Sequence, residues 1–369
     1  MKDSEFLDII KGVDPHFQEE IATTGFIDTG CYALNAAISG SIFGGVANNR
    51  ITAFAGESAV GKTYFALTAV RQFLIDNPTG RVVYFDTEFA LDREFFRQRE
   101  INAENVYIVQ PETLEDFRGK ALKILQSIEA QKEKDRVPLL MVLDSLGNLP
   151  SSKELEDSTE GKNTRDMTKQ QIIRSIFRTL TQRLGRAGVP LILTNHTYQV
   201  VGAYVPTKEV SGGGGVKYAA SSTVMISKKK DKDGNDVVGN ILTIKMDKSR
   251  FTRDSIKVEL KLSYQTGLHK YYGLLPIAEE LGIFKKVATR YEVPGGKKVY
   301  EKEIWRNPEE YFTDEVLAKI DNWCQINYKL GGKPEEEEIV PDADIEEDIE
   351  IAGEEIDNDI EGKVVNLDH

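Results

Sequence analysis

The segment GESAVGKT, from Gly56 to Thr63, matches the phosphate-loop (P-loop) pattern GxxxxGK[ST]. It follows the apolar run RITAFA and opens a stretch with helical spacing, which is the context that the motif requires; a glycine-rich surface turn is the alternative. Lys62 would supply charge to the β and γ phosphates, and the Thr63 hydroxyl can bind Mg²⁺. ATP and Mg²⁺ are therefore the expected ligands, with ATP held by Gly56, Glu57, Ser58, Ala59, Val60, Gly61, Lys62, Thr63 and Tyr64.

Acidic residues follow two other apolar runs. LLMVLDS presents Asp144 at the carboxyl end of a predicted strand, where it would hold Mg²⁺ directly or through water; an ordinary turn-capping Asp is the alternative. VVYFDTEFALD presents Asp86 and Glu88, and ATP hydrolysis needs a carboxylate that orients or deprotonates the attacking water. Strand alternation puts Asp86 and Glu88 on one face, so spacing alone does not choose between them.

His196 ends a further apolar run, LILTNHTY. A lone histidine is more often a core residue than a functional one, so the pattern by itself favours a structural role. Two long segments follow strands: LPSSKELEDSTEGKN after Asp144, and YQVVGAYVPTKEVSGGGGVK from Tyr198 to Lys217. The second has four consecutive glycines and no helical or strand period, and loops of this length are usually functional or disordered. We expect both loops to emerge on the carboxyl side of the sheet.

The scaffold that positions these residues is predicted by alternating patterns. RITAFAG, RVVYFD, NVYIVQ, VPLLMVLD and VPLILTN predict buried strands, and GKTYFALTAVRQFLID, ETLEDFRGKALKILQSIEAQ and TKQQIIRSIFRTLTQRLG have helical spacing. Such alternation predicts an α/β fold with a mainly parallel sheet flanked by helices. A more antiparallel section is expected from SSTVMISKKK, VVGNILTIKM and SIKVELKLSY, with a DGN turn after the first.

Four regions are expected along the chain. Residues 1–25 form a short N-terminal helical arm, and residues 26–270 form the core. Residues 271–333 form a small α+β unit that starts with LLPIAEELGIF, turns at Pro294 to Gly296 and ends in a helix near Asn307 to Tyr328. Residues 334–369 form an acidic tail, which is predicted to be disordered because it has too little apolar surface to fold alone.

The net charge of −13 belongs to the tail rather than to the body. From Glu335 onward there are 16 acidic residues and one basic residue, Lys363, so the preceding 334 residues carry 46 basic and 44 acidic groups. The body is therefore free to bind a polyanion. The tail is either a solubility element or a mimic of nucleic acid that competes for the body's basic groove, and composition does not decide between them.

Composition also narrows the cellular setting. No stretch approaches the roughly 20 apolar residues that a membrane helix needs, and the acidic start MKDSEFLDII does not suggest export. Cys31 and Cys324 lie far apart, so neither a disulfide framework nor a metal cluster is implied. A reducing cytoplasm is expected.

With these motifs assembled, the chain resembles the RecA/UvsX family of DNA strand-exchange recombinases, most closely the phage UvsX branch. The resemblance covers about residues 25 to 290 and is carried, in family order, by IDTGCYALNAAISGSIFGG, GESAVGKTYFAL, YFDTEFALD, LDSLGNLPSSKELED, DMTKQQIIRSIFRTLTQRL, LTNHTY, the GGGGVKY run and MDKSR. It implies a RecA-type P-loop core, an N-terminal arm that contacts another subunit, and ATP bound between neighbouring subunits.

The resemblance also implies roles that spacing leaves open. Glu88 matches the family's catalytic glutamate, and Asp92 and Phe95 match positions that contact adenine. His196 falls where many relatives have a glutamine that senses the γ phosphate, and the UvsX branch has histidine there. Two basic residues match a pair that reaches across a subunit interface to the neighbour's ATP, namely Lys248 and Arg250.

The two loops correspond to the family's DNA-binding loops. The body is nearly neutral and the loops contain few aromatic residues, so we expect contacts to phosphates from loop N–H groups and lysines rather than base stacking. The predicted DNA-binding residues are Lys153, Lys208, Gly212, Gly213, Gly214, Gly215 and Lys217.

The expected function is ATP-dependent homologous strand exchange by a head-to-tail filament on single-stranded DNA, with duplex DNA, single-strand-binding proteins and loader proteins as further partners. One alternative is a DNA motor of the same fold, a ring helicase or a repair ATPase. Another is a non-catalytic filament or mediator protein that binds nucleotide only for assembly. The presence of both Glu88 and the MDKSR pair argues against the last alternative.

Overall fold

The computed structural model describes residues 3–13, 25–162, 166–199, 208–210 and 214–332. The α-helices in these ranges are α1 Asp3–Val13, α2 Tyr32–Ser39, α3 Lys62–Asp76, α4 Arg93–Arg97, α5 Leu114–Glu129, α6 Ser152–Thr159, α7 Lys169–Ala187, α8 Gly214–Ala219, α9 Leu275–Glu280, α10 Glu301–Arg306, α11 Pro308–Tyr311 and α12 Asp314–Asn327. The strands are β1 Phe26–Ile27, β2 Val46–Ala47, β3 Ile51–Gly56, β4 Arg81–Asp86, β5 Val106–Val109, β6 Leu139–Asp144, β7 Leu191–Gln199, β8 Lys208–Val210, β9 Ser222–Asp233, β10 Asp236–Ser249, β11 Lys257–Ser263, β12 Gly267–Leu268, β13 Lys285–Val287, β14 Arg290–Glu292 and β15 Lys298–Tyr300.

One large sheet organises the core. Its strand order is β12-β11-β10-β9-β3-β7-β6-β4-β5, and β8 pairs with β7 off this path. The neighbours from β9 to β5 run parallel, whereas β10, β11 and β12 add antiparallel pairs at one edge. The predicted parallel sheet and its antiparallel section are both confirmed. Helices connect the parallel strands, as parallel connections require.

Two apolar cores lie against this sheet, because successive side chains of a strand alternate between its faces. In β4, Val82 and Tyr84 belong to the core that contains α2 and α3 residues, while Val83 and Phe85 belong to the core that contains α5 and α7 residues. Burial on both faces explains why β4 is apolar at successive positions rather than at alternate ones.

The three predicted long helices are present as α3, α5 and α7, and local signals set their ends. The Thr113 hydroxyl accepts a hydrogen bond from the backbone N–H of Asp116 at 3.1 Å and thereby caps the start of α5. Helix α7 ends at Gly188, whose φ of 67° lies in the left-handed region that closes many helices. Gly61, the last glycine of the P-loop, is the N-cap residue of α3, so the helix begins within the motif.

The section after residue 270 is α+β, as expected. Strands β13, β14 and β15 form a small antiparallel sheet, and the Pro-Gly-Gly turn joins the last two. The predicted final helix is divided into α11 and α12. Phe284, Tyr291, Phe312 and Ile320 of this section belong to the same core as Phe65 of α3. The section therefore shares the core that contains α2 and α3, and the boundary at residue 270 stays a prediction.

The described part of the predicted amino-terminal arm contains a helix, α1. Helix α1 exposes Ile9 and Val13, so its described part offers apolar side chains to solvent. The predicted disorder of the acidic tail lies outside the described residues. Within those residues, no helix has both the length and the apolar character that crossing a membrane would require.

Candidate active site

The P-loop connects the central strand β3 to α3. Gly56 ends β3, and a Cβ at this position would lie 2.6 Å from the carbonyl oxygen of Ile226, so the close approach of β9 requires glycine. Gly61 has a φ of 98°, a backbone conformation that residues with a Cβ rarely adopt, so this position favours glycine as well. Between them, Glu57, Ser58 and Ala59 are exposed. The loop thus presents backbone N–H groups at the start of a helix, where anions bind.

Lys62 places a cation inside this loop. Its Nζ donates hydrogen bonds to the carbonyl oxygens of Gly56, at 3.1 Å, and Glu57, at 2.7 Å. Burial lowers the pKa of the Lys62 ammonium from its usual value, and the Asp144 and Glu88 carboxylates act in the opposite direction. A buried ammonium beside a turn of N–H groups is the donor set that nucleotide phosphates require, so these residues fit ATP.

The predicted Mg²⁺ residues lie on two neighbouring elements. Thr63 is half-buried in the first turn of α3. Asp144, at the end of β6, is buried and accepts hydrogen bonds from the Tyr84 hydroxyl, at 2.8 Å, and from the Thr194 hydroxyl. Because neighbours already engage both of its oxygens, Asp144 suits a contact to Mg²⁺ through water. No group of three histidine, cysteine or acidic residues within the described ranges could hold a metal; P-loop Mg²⁺ instead takes ligands from phosphates and water.

The structure separates the two acids that follow β4. The strand ends at Asp86, so the alternation that would place both acids on one face does not extend to Glu88, and that expectation is wrong. The buried Asp86 carboxylate accepts the backbone N–H groups of Glu88, at 3.0 Å, and Leu91, at 3.2 Å. Glu88 instead accepts hydrogen bonds through Oε1 from Ser145 Oγ, at 3.3 Å, and Asn148 Nδ2, at 3.1 Å. Asp86 shapes the turn, and Glu88 faces the site.

His196 lies between Lys62 and Glu88. It is the register partner of Gly56 on the neighbouring parallel strand β7, which brings its ring to the P-loop. Nδ1 is 3.4 Å from Lys62 Nζ, and Nε2 is 3.6 Å from Glu88 Oε1. The side chain is one-third exposed, so the sequence-based preference for a core histidine does not describe its position. The segments after β3 and β4, together with β7, therefore bring a lysine, a carboxylate and an imidazole together.

The predicted adenine-contact residues lie around α4. Asp92 caps this helix by accepting the backbone N–H of Phe95 at 2.7 Å, and the Arg99 guanidinium lies 3.5 Å from the centre of the Phe95 ring. Tyr64, on α3, accepts the backbone N–H of Leu268 through its hydroxyl at 3.0 Å. The contacts of Asp92, Phe95 and Tyr64 with ATP stay predictions.

The sequence suggested a loop after Asp144, but the described part of this segment contains a helix. This helix, α6, begins with a capping box: Ser151 Oγ accepts the backbone N–H of Glu154, and the Glu154 carboxylate accepts the backbone N–H of Ser151. Lys153 lies in the first turn of α6 and is exposed. Its predicted contact with DNA is compatible with this exposure and stays a prediction.

The second segment also contains regular structure at both ends. Strand β7 continues to Gln199 and pairs with β8, which begins at Lys208. Gly214 begins α8, and a Cβ at the buried Gly215 would lie 2.8 Å from the Arg174 side chain, so Gly215 allows α8 to approach α7 closely. Lys217 is exposed and pairs with Asp247 at 2.9 Å. The predicted DNA-binding residues Gly212 and Gly213 lie outside the described residues.

The expectation that this second segment emerges on the carboxyl side of the sheet is confirmed, although the segment returns to the amino ends of the parallel strands. It leaves from the carboxyl end of β7, but α8 leads into Ser222, and Ser222 pairs with Thr52 near the amino end of β3. The reason is topological: β9 runs parallel to β3, so the connection must cross from one edge of the sheet to the other.

Lys248 and Arg250 lie at that amino edge as well. Ser249, between them, pairs with Ser222, whereas the P-loop residue Gly56 pairs with Ile226, four residues along β9. At about 3.3 Å per residue this is a separation of about 13 Å, which is longer than an arginine side chain. Lys248 Nζ donates to the carbonyl oxygens of Lys217 and Tyr218, at 2.7 and 2.8 Å, and Arg250 is exposed. Neither side chain belongs to the P-loop end of its own subunit.

Three residues at the site were missed by the sequence patterns. Lys228 Nζ donates to the carbonyl oxygen of Ala59 in the P-loop at 2.5 Å, because Lys228 lies two residues beyond the partner of Gly56 on β9. Ser145 and Asn148 hold Glu88. The KKK run and the polar residues of LDSLGN were visible in the sequence, but only strand register shows what they contact.

A P-loop on the central strand of a mainly parallel sheet, beside a buried strand-ending aspartate, defines a P-loop nucleotide-binding protein. The sequence-family model of the RecA N-terminal domain matches residues 12–269. The chain therefore belongs to the RecA family, whose members bind nucleotide. The resemblance found in the sequence is thereby confirmed.

Several relatives are similar over most of their length. The recombination and repair protein of Enterobacteria phage T4 is 31% identical over 280 residues, which cover 74% of this chain and 70% of that protein. The RecA protein of Desulforapulum autotrophicum is 28% identical over 320 residues, 85% of each chain. The RecA protein of Deinococcus radiodurans is 29% identical over 308 residues, 80% of each chain.

Proposed function

We propose that this chain is a DNA-dependent ATPase that performs homologous strand exchange as a filament on single-stranded DNA. The observation that carries the proposal is the contiguous set Lys62, His196 and Glu88, which joins the P-loop to a carboxylate through an imidazole on β7. Similarity to a phage recombination and repair protein supports the biological role.

In hydrolysis, Glu88 would orient the attacking water in line with the γ phosphate and accept its proton. Ser145 and Asn148 hold the Glu88 carboxylate in place for this task. Lys62 would stabilise the negative charge on the phosphates. Thr63, and Asp144 through water, would hold a bound Mg²⁺, which would supply positive charge beside the phosphates. The Asp92, Phe95 and Tyr64 side chains would contact the rest of the nucleotide.

The active site would be completed by a second subunit. Lys248 and Arg250 lie at the edge of the sheet opposite their own P-loop, so they would act on the ATP of a neighbour. A head-to-tail interface joins different surfaces of the two partners and can propagate as an open helix. Helix α1, with its exposed Ile9 and Val13, would contact the adjoining subunit in the same assembly.

DNA would be bound by the two segments that follow β6 and β7. Strand β7 carries His196 at the nucleotide and continues three residues further to Gln199, at the entrance to the second segment. Nucleotide state can therefore influence that segment through one continuous strand. The phosphate contacts would come from Lys153, Lys208, the glycine run and Lys217, with single-strand-binding and loader proteins assisting assembly.

The proposal is tested with the full chain and its Lys62→Ala variant. We expect the native protein to form open helical filaments on single-stranded DNA with a non-hydrolysable ATP analogue, seen by electron microscopy, and to show DNA-stimulated ATP hydrolysis. Lys62→Ala should lose both activities while its circular dichroism is unchanged. Lys319→Ala, on the exposed face of α12, is the matched control and should behave as native. Closed rings, or native turnover in Lys62→Ala, would contradict the proposal.

A further inference from the structure

A second pocket lies away from the P-loop, between β11 and the section that follows residue 270. Its volume is about 390 Å³, which is within the range of small-ligand sites. Four aromatic and three acidic side chains dominate its lining, which consists of Lys257, Val258, Glu259, Tyr272, Gly273, Leu275, Pro276, Ile277, Glu279, Tyr291, Glu301, Trp305 and Tyr328.

The aromatic walls of this pocket form a partly dry surface. The Tyr272 and Trp305 rings lie 5.0 Å apart at an angle of 40°, and Tyr291 is 3% exposed. Burial first, and then the Glu259 and Glu301 carboxylates, raise the pKa of Tyr272, so its phenol stays neutral at physiological pH. Neutral aromatic faces carry partial negative charge and attract cations, most strongly where water is excluded.

Carboxylates complete the lining and are held by the same aromatic side chains. Glu301 Oε1 accepts a hydrogen bond from Trp305 Nε1 at 2.9 Å, and Glu279 is hydrogen-bonded to the Tyr291 side chain. Glu259 pairs with Lys229 at 2.9 Å. Lys257 is the one cation among the lining residues, against three carboxylates. The pocket therefore combines negative charge with flat apolar walls.

We propose that this pocket binds the guanidinium group of an arginine side chain. A guanidinium is planar, so it can stack on the Tyr272 and Trp305 rings while its edge donates hydrogen bonds to a carboxylate. A lysine ammonium has no flat face that could stack on these rings, so we expect the pocket to bind arginine more tightly than lysine. The apolar residues Leu275 and Ile277 suit the aliphatic stem of the arginine.

Tryptophan fluorescence tests the proposal directly, because the sequence contains two tryptophans, Trp305 in the pocket and Trp323. In a full-length Trp323→Phe protein, Trp305 alone reports binding. The probes are arginine blocked at both ends, the equally blocked citrulline, which has nearly the same shape without charge, and spermidine. We expect a saturable change with arginine and at least about tenfold weaker binding of citrulline.

Glu301→Gln keeps an acceptor for Trp305 Nε1 but removes the charge, so arginine should bind at least about fivefold more weakly. Glu315→Gln, an exposed acid on α12, is the matched control and should bind as native. Calorimetric titration of the chain with both tryptophans retained gives the same comparison if Trp323→Phe does not fold. Equal binding of citrulline, unchanged binding by Glu301→Gln, or tighter binding of spermidine than of arginine would each overturn the proposal.

Discussion

The imidazole Nε2 of His196 lies 3.6 Å from the carboxylate Oε1 of Glu88, and the opposite ring nitrogen faces Lys62. The strand that carries His196 also leads into the second predicted DNA-binding segment. One side chain therefore contacts both groups proposed for ATP hydrolysis and belongs to the backbone that enters the DNA segment. We therefore expect His196 to couple nucleotide state to DNA affinity.

Glu88→Gln should retain ATP binding and DNA binding but hydrolyse ATP at least about tenfold more slowly, because an amide cannot accept a proton from water. Steady-state turnover with single-stranded DNA measures the effect. Asp86→Asn should instead mainly lower the free energy of unfolding, since Asp86 is buried and accepts two backbone N–H groups. A larger loss of turnover in a stably folded Asp86→Asn than in Glu88→Gln would show that Asp86 is the catalytic carboxylate.

His196→Ala should uncouple ATP from DNA. We expect the gain in single-stranded DNA affinity caused by a non-hydrolysable ATP analogue to fall by about fivefold or more, because the ring contacts to Glu88 and Lys62 are lost. Fluorescence anisotropy with labelled DNA gives both affinities. His196→Gln, which keeps a polar group there, should preserve more of the gain. A full gain in His196→Ala would exclude the coupling role.

Filaments that mix Arg250→Ala with Glu88→Ala subunits test whether the active site is shared. Each variant alone should be nearly inactive. In an equal mixture, about a quarter of head-to-tail interfaces carry an intact Glu88 on one side and an intact Arg250 on the other. Turnover should therefore recover to a substantial part of that fraction. With co-assembly verified by labelled subunits, activity that stays at the level of either variant would show that both residues serve the same subunit's ATP.

Asp166→Asn should destabilise the protein in a pH-dependent way. The buried Asp166 carboxylate accepts Ser151 Oγ at 2.6 Å and the Thr168 N–H and Oγ1 at 2.8 and 2.6 Å. These bonds, from Ser151 first, lower its pKa from 3.8 to about 2. Because the carboxylate pKa is lower in the folded protein than in the unfolded chain, the charge stabilises the fold at every pH above the unfolded pKa of 3.8. This stabilisation is lost as the pH falls from 3.8 towards 2.

Urea unfolding therefore separates native and Asp166→Asn by about 1–3 kcal/mol at neutral pH, and by less near pH 3. Glu156→Gln, an exposed acid on the same segment, serves as the control and should change little at either pH. If the difference in unfolding free energy between the two proteins did not change with pH, the negative charge of Asp166 would not be what stabilises its contacts with Ser151 and Thr168.

Removing the residues after Lys333 should tighten binding to single-stranded DNA by about threefold or more at low ionic strength, with less dependence on Mg²⁺. The tail's net charge of −15 would otherwise compete with phosphate for a weakly basic body, and salt would screen that competition. A full-length variant whose tail acids are replaced by amides should show the same gain. Equal affinity of truncated and native protein would leave the tail a solubility element.

Local patterns determined much of this protein. The P-loop is contiguous, so one short segment specified the strand end, the loop and the start of α3. Buried parallel strands are apolar throughout, which made the five strand-forming runs visible. The family resemblance added roles for Glu88, Asp92, Phe95, His196, Lys248 and Arg250, and the structure is compatible with these roles without testing them.

The relationships across the sheet could be decided only by the tertiary structure. Strand alternation would put Asp86 and Glu88 on one face, but β4 ends at Asp86 and the hydrogen bonds of the folded turn distinguish the two acids. Register between β3, β9 and β10 places Lys228 at the P-loop, whereas Arg250 follows β10 near the amino end of β3. Strand order and register arise from pairing between segments far apart in the chain, and no local pattern encodes them.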